Sequence, residues 1–203
     1  MTIAVYSCYF GRHEPFNSNC LAIKTNSRRF IFTDQDDVEK WVAPLDVTVE
    51  KIHLASPKLG SRAPKLCPHK FLPENVEWAI YVDNRATLEV PPEKIVEDVE
   101  SQFGECEPGR YLFAHKSKRD AYKELRTTHA RKYIDVEQFV ATRKMFRRSK
   151  FPRGLPLYVN TMMIQKMGDH LTDALNEDWF ELYSTICPRD QPLLPFVIHK
   201  HSY

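Results

Sequence analysis

The 203-residue sequence has no CxxC pair, no glycine-rich phosphate loop, no internal repeat and no low-complexity run. Its five cysteines, Cys8, Cys20, Cys67, Cys106 and Cys187, are odd in number and widely spread. That pattern gives neither zinc-ligand spacing nor a disulfide framework, and reduced thiols are expected. No stretch approaches the roughly 20 apolar residues of a membrane span. Met1 leads directly into an apolar strand with no basic segment before it, so no signal peptide is visible and a cytoplasmic location is the expectation. Excess charge is lacking too: 29 Lys plus Arg oppose 27 Asp plus Glu, and the net of +2 requires no acidic partner. Glycine is scarce, six against 14 prolines, which argues for stiff, specific loops and no flexible linker.

What remains is an ordinary globular composition with enough length for one well-packed domain over residues 1–203. Residues 78–82 (WAIYV) form an apolar, β-rich run that ends abruptly in Asp83-Asn84-Arg85. In α/β proteins ligands sit outside the carboxyl ends of central strands, so a strand-ending acid is a candidate for a cation or a sugar hydroxyl. Asp-Asn is also common turn chemistry. Around this run, strands are expected at 3–9, 30–34, 47–54, 111–114 and 158–164, with 20–25 a short strand or helix. Helices are expected from 34 to 41, from 91 to 103, twice within 117–150 with a break near 133–135, and from 168 to 186. Residues 56–68 read as a proline-rich basic loop, and the segment after Pro188 starts as a helix and ends basic. The alternation argues for an α/β fold, a central mixed sheet flanked by helices.

Several short motifs, in this order, resemble the glycosyltransferase-like domain of plant turgor-regulating and mucilage-related proteins and its relatives in bacterial polysaccharide loci. They are Tyr9-Phe10-Gly11, Phe32-Thr33-Asp34, Lys65-Leu66-Cys67-Pro68-His69, Tyr81-Val82-Asp83-Asn84, Ala114-His115 and Pro188-Arg189-Asp190-Gln191. The resemblance spans nearly the whole chain. It implies a GT-A-type domain that moves a hexosyl or pentosyl group from a nucleotide-diphosphate sugar. It also implies an Asp-x-Asp metal motif after a central strand. Here the second acid is replaced by Arg85, so the chain departs from that pattern.

Such a transfer must stabilise charge developing on the departing diphosphate, by a divalent cation or by fixed cationic side chains. Asp83 is the candidate for Mn²⁺ or Mg²⁺, with His199 or His201 as a further ligand if the tail folds back; otherwise the tail is a solvated terminus. Arg85 would alternatively contact the diphosphate itself. Arg62, Lys65 and His69 would lie near it if the loop covers the cleft and otherwise form a solvated basic loop, while Asn84 belongs to the run Asp83-Asn84-Arg85. Asp34 follows the second strand, where such proteins contact base or ribose. Asp190 is the candidate base for the acceptor hydroxyl, flanked by Arg189 and Gln191, and equally an acid at its own helix start. His115 ends a strand and is a candidate for donor or acceptor contact, or equally a hydrogen-bonded structural residue.

The basic run Arg143, Lys144, Arg147, Arg148, Lys150, Arg153 interleaves with Phe146 and Phe151 and is separated in sequence from Glu93, Glu97, Asp98, Glu100, Glu105 and Glu107. It is a solvated helix face or a holder for an anionic acceptor: a surface glycan, a lipid phosphate, or DNA with a modified base. The alternative to an enzyme is a non-catalytic nucleic-acid-binding α/β module using this segment.

Overall fold

β1 (Ile3–Tyr9) is buried along its whole length, because both of its faces are covered. Alternate residues point to opposite sides, so Ile3, Val5 and Tyr9 join one apolar layer while Ala4, Tyr6 and Cys8 join the other. The computed structural model describes residues 1–104, 106–117 and 120–201; Glu105, one of the acids set against the basic run, lies outside them. Within these the chain forms two compact units, Met1–Tyr111 with Thr161–Thr172, and Leu112–Asn160 with Asp173–Tyr203.

The first unit contains the six-stranded sheet, in the order β3-β2-β1-β4-β6-β5. Its other strands are β2 (Arg28–Thr33), β3 (Thr48–Lys51), β4 (Trp78–Val82), β5 (Gly109–Tyr111) and β6 (Met162–Lys166). The pairs β1–β2, β1–β4 and β2–β3 are parallel; β6 runs antiparallel to both β4 and β5, so the sheet is mixed. Strand order reverses between β1 and β4, and at such a switch point the connections leave in opposite directions and open a crevice beyond the carboxyl ends. The carboxyl ends of β1, β2 and β4 therefore share one edge of the sheet.

Three helices belong to this unit: α1 (Val38–Val42), α2 (Pro57–Leu66) and α3 (Pro92–Phe103). Val38, Val42, Ile95, Val96 and Val99 pack with Ile3, Val5, Ile80 and Val82 in one layer. Leaving any one of these side chains exposed forfeits about 1.5–3 kcal/mol. On the other face Tyr6 meets Tyr81 edge-on at 5.4 Å and Phe32 at 6.1 Å.

The region expected as a proline-rich loop is helix α2. Ser56 accepts the Leu59 amide at 3.3 Å, and Pro57 occupies the first turn, where its missing N–H costs nothing. Gly60 is required by contact: a Cβ there would lie 2.6 Å from the Phe10 ring. Residues 20–25 form neither strand nor helix beyond a 3-10 turn at Ser18–Cys20. α1 starts later than expected because Asp34 and Gln35 are used in the turn, where the Gln35 amide donates to the Thr33 hydroxyl at 3.0 Å.

The second unit holds α4 (Ala121–Ala130), α5 (Val136–Arg148), most of α6 (His170–Thr185), and α7 (Asp190–Lys200). Asp135 and Gln138 form a reciprocal capping box that starts α5 where the break was expected. Trp179 is fully buried, as its helical spacing predicts. α7 buries Leu193, Leu194, Phe196 and Val197, so the tail is a packed helix and not a solvated terminus. Among the described residues no helix is long and apolar enough to cross a membrane.

Candidate functional site

The edge where β1, β2 and β4 end carries the first group of candidate residues. After β1 the chain turns at Gly11, whose φ of +71° favours glycine; an added Cβ would also approach Pro57 to 2.8 Å. The Gly11 amide donates to Asp34 Oδ1 at 3.0 Å, so Asp34 ties the end of β1 to the end of β2. Half-buried, it stands where the two parallel strands finish.

Asp83 follows β4 directly. Its amide donates to the Thr161 carbonyl at 2.8 Å, which holds the residue in line with the sheet. Its Oδ1 accepts the Arg85 amide at 3.1 Å, and Tyr81 donates its hydroxyl to Oδ2 at 3.4 Å. The carboxylate is half-buried on a rigid support.

Arg62 and Lys65, both on α2, stand close enough to β1 to act with Asp83 on the Cys8 thiol. Burial pushes that thiol up to about 12, against the pull of the two cations. Lys65 is 2% exposed, and its ammonium lies 5.0 Å from the centre of the Tyr81 ring. It is thus a buried cation held by the helix, where a lysine on a proline-rich basic loop was expected. His69 sits in the 3-10 turn Pro68–Lys70 and is half-buried.

Asn84 and Arg85 behave differently from the expectation. Asn84 is 3% exposed, accepts the Asn17 amide at 2.9 Å, and donates to Glu14 Oε1 at 3.0 Å and to the Pro15 carbonyl at 2.9 Å. Both donors of its amide are committed to the protein, so it clasps the 14–17 segment to the end of β4. Arg85 is exposed and pairs through Nε with Glu14 Oε2 at 2.6 Å. The Glu14 carboxylate raises the guanidinium pKa further, so this partner reinforces the charge. Glu14, the residue that organises both neighbours, carries no motif of its own and pairs across about 70 positions; no local signal pointed to it.

The ligand set for a divalent ion is narrow. Among the described residues no group of three or more His, Cys, Asp or Glu side chains is placed to hold a metal. With Asn84 committed and Arg85 turned to Glu14, Asp83 is the one acid of the 83–85 segment that fits. An ion held there would draw its other ligands from phosphate and water oxygens.

The second unit carries the remaining candidates. Asp190 opens α7 and is 6% exposed; its carbonyl accepts the Trp179 indole N–H at 3.0 Å. Gln191 donates to the Tyr158 carbonyl at 3.3 Å, and the Arg189 guanidinium lies 4.3 Å from the Tyr133 ring centre. The Arg189 Nε is buried with no hydrogen-bond partner. His115 is half-buried: its amide donates to the Leu157 carbonyl at 2.7 Å, and its Nδ1 accepts the Ser117 amide at 3.3 Å. His199 is exposed and packs its ring 5.5 Å from that of Phe151, while His201 pairs with Asp178 at 2.7 Å. Neither belongs to a group of three or more His, Cys, Asp or Glu side chains placed to hold a metal among the described residues.

Of the basic run, Arg143, Lys144, Arg147 and Arg148 occupy the exposed half of α5, while Thr142 and Phe146 face inward. Lys150 and Arg153 follow the helix and are also exposed.

No family model matches the chain, and no curated protein matches it in sequence. Solved structures do match in fold. Mouse xyloside xylosyltransferase 1, in its apo form, is 11% identical with a TM-score of 0.57, over 99% of this chain and 82% of that one. Core-mannan synthase A from Aspergillus fumigatus, in an Mn/GDP form, is 10% identical with a TM-score of 0.50, over 98% of this chain and 69% of that one.

The fold is GT-A-like. At these identities the likeness concerns architecture. In this GT-A-like chain the carboxyl edge of β1, β2 and β4 carries two strand-ending acids, Asp34 and Asp83, and two cations, Arg62 and Lys65, stand on α2 beside β1. That arrangement can bind a polar ligand carrying both hydroxyls and anionic charge.

Proposed function

We propose that the protein is a nucleotide-sugar-dependent glycosyltransferase, moving a sugar from a nucleoside-diphosphate donor to a hydroxyl acceptor. The observation that carries the reading is strand-ending Asp83 at the switch point of a GT-A-like sheet, with Arg62 and Lys65 on α2 beside β1. The two fold neighbours, a xylosyltransferase and a mannan synthase, support it. The short motifs ending in Arg189-Asp190-Gln191 further suggest kinship with the plant turgor-regulating and mucilage-related proteins.

In this reading Asp34 contacts the ribose or base, and Arg62, Lys65 and His69 hold the diphosphate. Fixed cations in a site sheltered from water stabilise the charge that develops as the glycosidic bond to phosphate breaks, with little reorganisation. Asp83 positions the sugar or holds a divalent ion, which when bound supplies Lewis acidity to the leaving group. Asn84 keeps the 14–17 segment in place, and Arg85 reaches the diphosphate only by releasing Glu14. Asp190 accepts the proton of the acceptor hydroxyl in an inverting transfer, with Gln191, Arg189 and His115 available to the sugar. The basic face of α5 takes an anionic acceptor such as an acidic glycan.

The test is release of nucleoside diphosphate from a panel of nucleotide sugars, in EDTA and with Mn²⁺, against acidic and neutral glycan acceptors. Turnover of one donor that disappears in Asp83→Asn and Asp190→Asn supports the assignment. Failure of every donor to bind or turn over, with DNA retained by the basic face, would replace the enzyme by a nucleic-acid-binding module.

A further inference from the structure

The second unit contains a small cavity unrelated to the strand-end acids. It measures about 100 Å³ and is lined by Tyr122, Leu125, Arg126, Phe139, Arg143 and Arg153. Three of the six are arginines and none is acidic. The volume falls below the roughly 300 Å³ of pockets that enclose whole small molecules, so the cavity suits a single functional group.

The cavity walls are held in place. Tyr122 donates its hydroxyl to the Phe151 carbonyl at 2.9 Å, stacks on Phe151 at 5.9 Å and meets Phe146 edge-on at 5.2 Å. Phe139 is stacked on His129 at 4.8 Å. The Arg153 guanidinium lies 4.6 Å from the Tyr122 ring centre. Its neighbour Gly154 donates its amide to Asp120 Oδ2 at 3.2 Å, and the other Asp120 oxygen caps α4 through the Lys123 amide at 2.8 Å. The nearby carboxylate is therefore committed to backbone, and the loop that carries Arg153 is clipped to the start of α4. Arg126 comes from α4 and Arg143 from α5, so three different segments bring a guanidinium to one hollow.

We propose that this cavity binds one tetrahedral oxyanion, the phosphate or sulfate group of a monoester. Arginine presents a planar fork of donors that matches such oxyanions, and charge-assisted bonds of this kind are about twice as strong as neutral ones. The Tyr122 ring fixes the Arg153 fork, and none of the lining residues is acidic to compete with the ligand. The basic run thus has internal structure. Arg143 and Arg153 serve the cavity with Arg126, while Lys144 and Arg148 line a separate hollow with Ala141, Met145, Ser149 and Ile186. The inference rests on the second unit alone and is independent of the transferase reading.

The experiment titrates inorganic phosphate and inorganic sulfate into the intact protein by calorimetry, with acetate as the carboxylate control. Saturable phosphate or sulfate binding is expected, weakened about tenfold or more in Arg126→Gln with Arg143→Gln. It should persist in Lys144→Gln with Arg148→Gln, and partly in Arg126→Lys, which keeps charge without the fork. Melting temperatures of all variants check folding. Phosphatidylcholine vesicles with and without phosphatidic acid identify the source: sedimentation that needs the same arginines assigns the oxyanion to a lipid headgroup. Phosphate binding without sedimentation assigns it to a soluble ester. No saturable phosphate or sulfate binding, or equal losses in the Lys144 and Arg148 pair, overturns the proposal.

Discussion

Asn84 donates to Glu14 Oε1 at 3.0 Å, and through that contact the segment after β1 is fastened to the end of β4. The two strands flank the switch point, so this clasp ties together the chain segments at the edge where the proposed donor would bind. Removing it leaves the Asn17 amide and the Pro15 carbonyl without their partner.

Asn84→Ala is expected to cost about 1–3 kcal/mol, the usual penalty for orphaned buried polar groups, and to weaken donor binding. Asn84→Asp should be worse at neutral pH, because it sets a second carboxylate against Glu14. Adding Glu14→Gln restores a donor to the pair and should raise the melting temperature of Asn84→Asp, a non-additive rescue. Purely additive losses in the double variant would show that the contact does not hold the segment.

Gly11→Ala is expected to destabilise the chain by at least 1–2 kcal/mol, the approximate backbone penalty for an L-residue in the left-handed region. The close approach of its Cβ to Pro57 adds to this. Chemical unfolding measures it; an unchanged midpoint would mean the turn relaxes freely.

How much of this was legible in the sequence differs by element. β1, β4, α3 and the break before α5 follow from apolar periodicity and local caps, and the acid at the end of β4 was legible from the abrupt stop of its apolar run. α2 was misread because its prolines outweighed the Ser56-Pro57 start signal. β6 lies later than expected, at Met162–Lys166, because polar Gln165 and Lys166 pair with Ala79 and Trp78 in the sheet. β5, expected at 111–114, is Gly109–Tyr111, and Ala114 instead forms an isolated bridge with Tyr158. The clasp joins residues about 70 positions apart, and Arg126 joins Arg143 and Arg153 only once α4 and α5 pack. Those contacts have no local signature.

Alkaline pH should destabilise the protein through its buried thiols. Burial pushes Cys8 up to about 12 and Cys20 up to about 11 from 9.0, so the folded state favours the neutral thiol. The unfolded thiols ionise first. Stability from this source is therefore complete below about pH 9 and lost progressively as pH rises toward 11–12. Unfolding midpoints measured across this range should fall less steeply for Cys8→Ala than for the native chain. Identical slopes would remove Cys8 from the effect.

Arg147→Glu with Arg148→Glu is expected to raise the KM for a polyanionic acceptor and reduce its salt sensitivity, while donor affinity barely changes. Both side chains are exposed on α5, whereas the proposed diphosphate cations lie on α2. Equal losses for donor and acceptor would place the run in the donor site.

The central claim is that a nucleotide sugar binds at the carboxyl edge of β1, β2 and β4. Calorimetric titration of nucleotide-diphosphate sugars, with and without Mn²⁺, into the native chain, Arg62→Gln and Asp83→Asn tests it most directly. One donor should bind the native chain saturably, and Arg62→Gln should lose about tenfold or more in affinity, as expected for a charge-assisted phosphate contact. Any gain in affinity from Mn²⁺ should vanish in Asp83→Asn. Native-like binding in both variants, at unchanged melting temperature, would contradict the account.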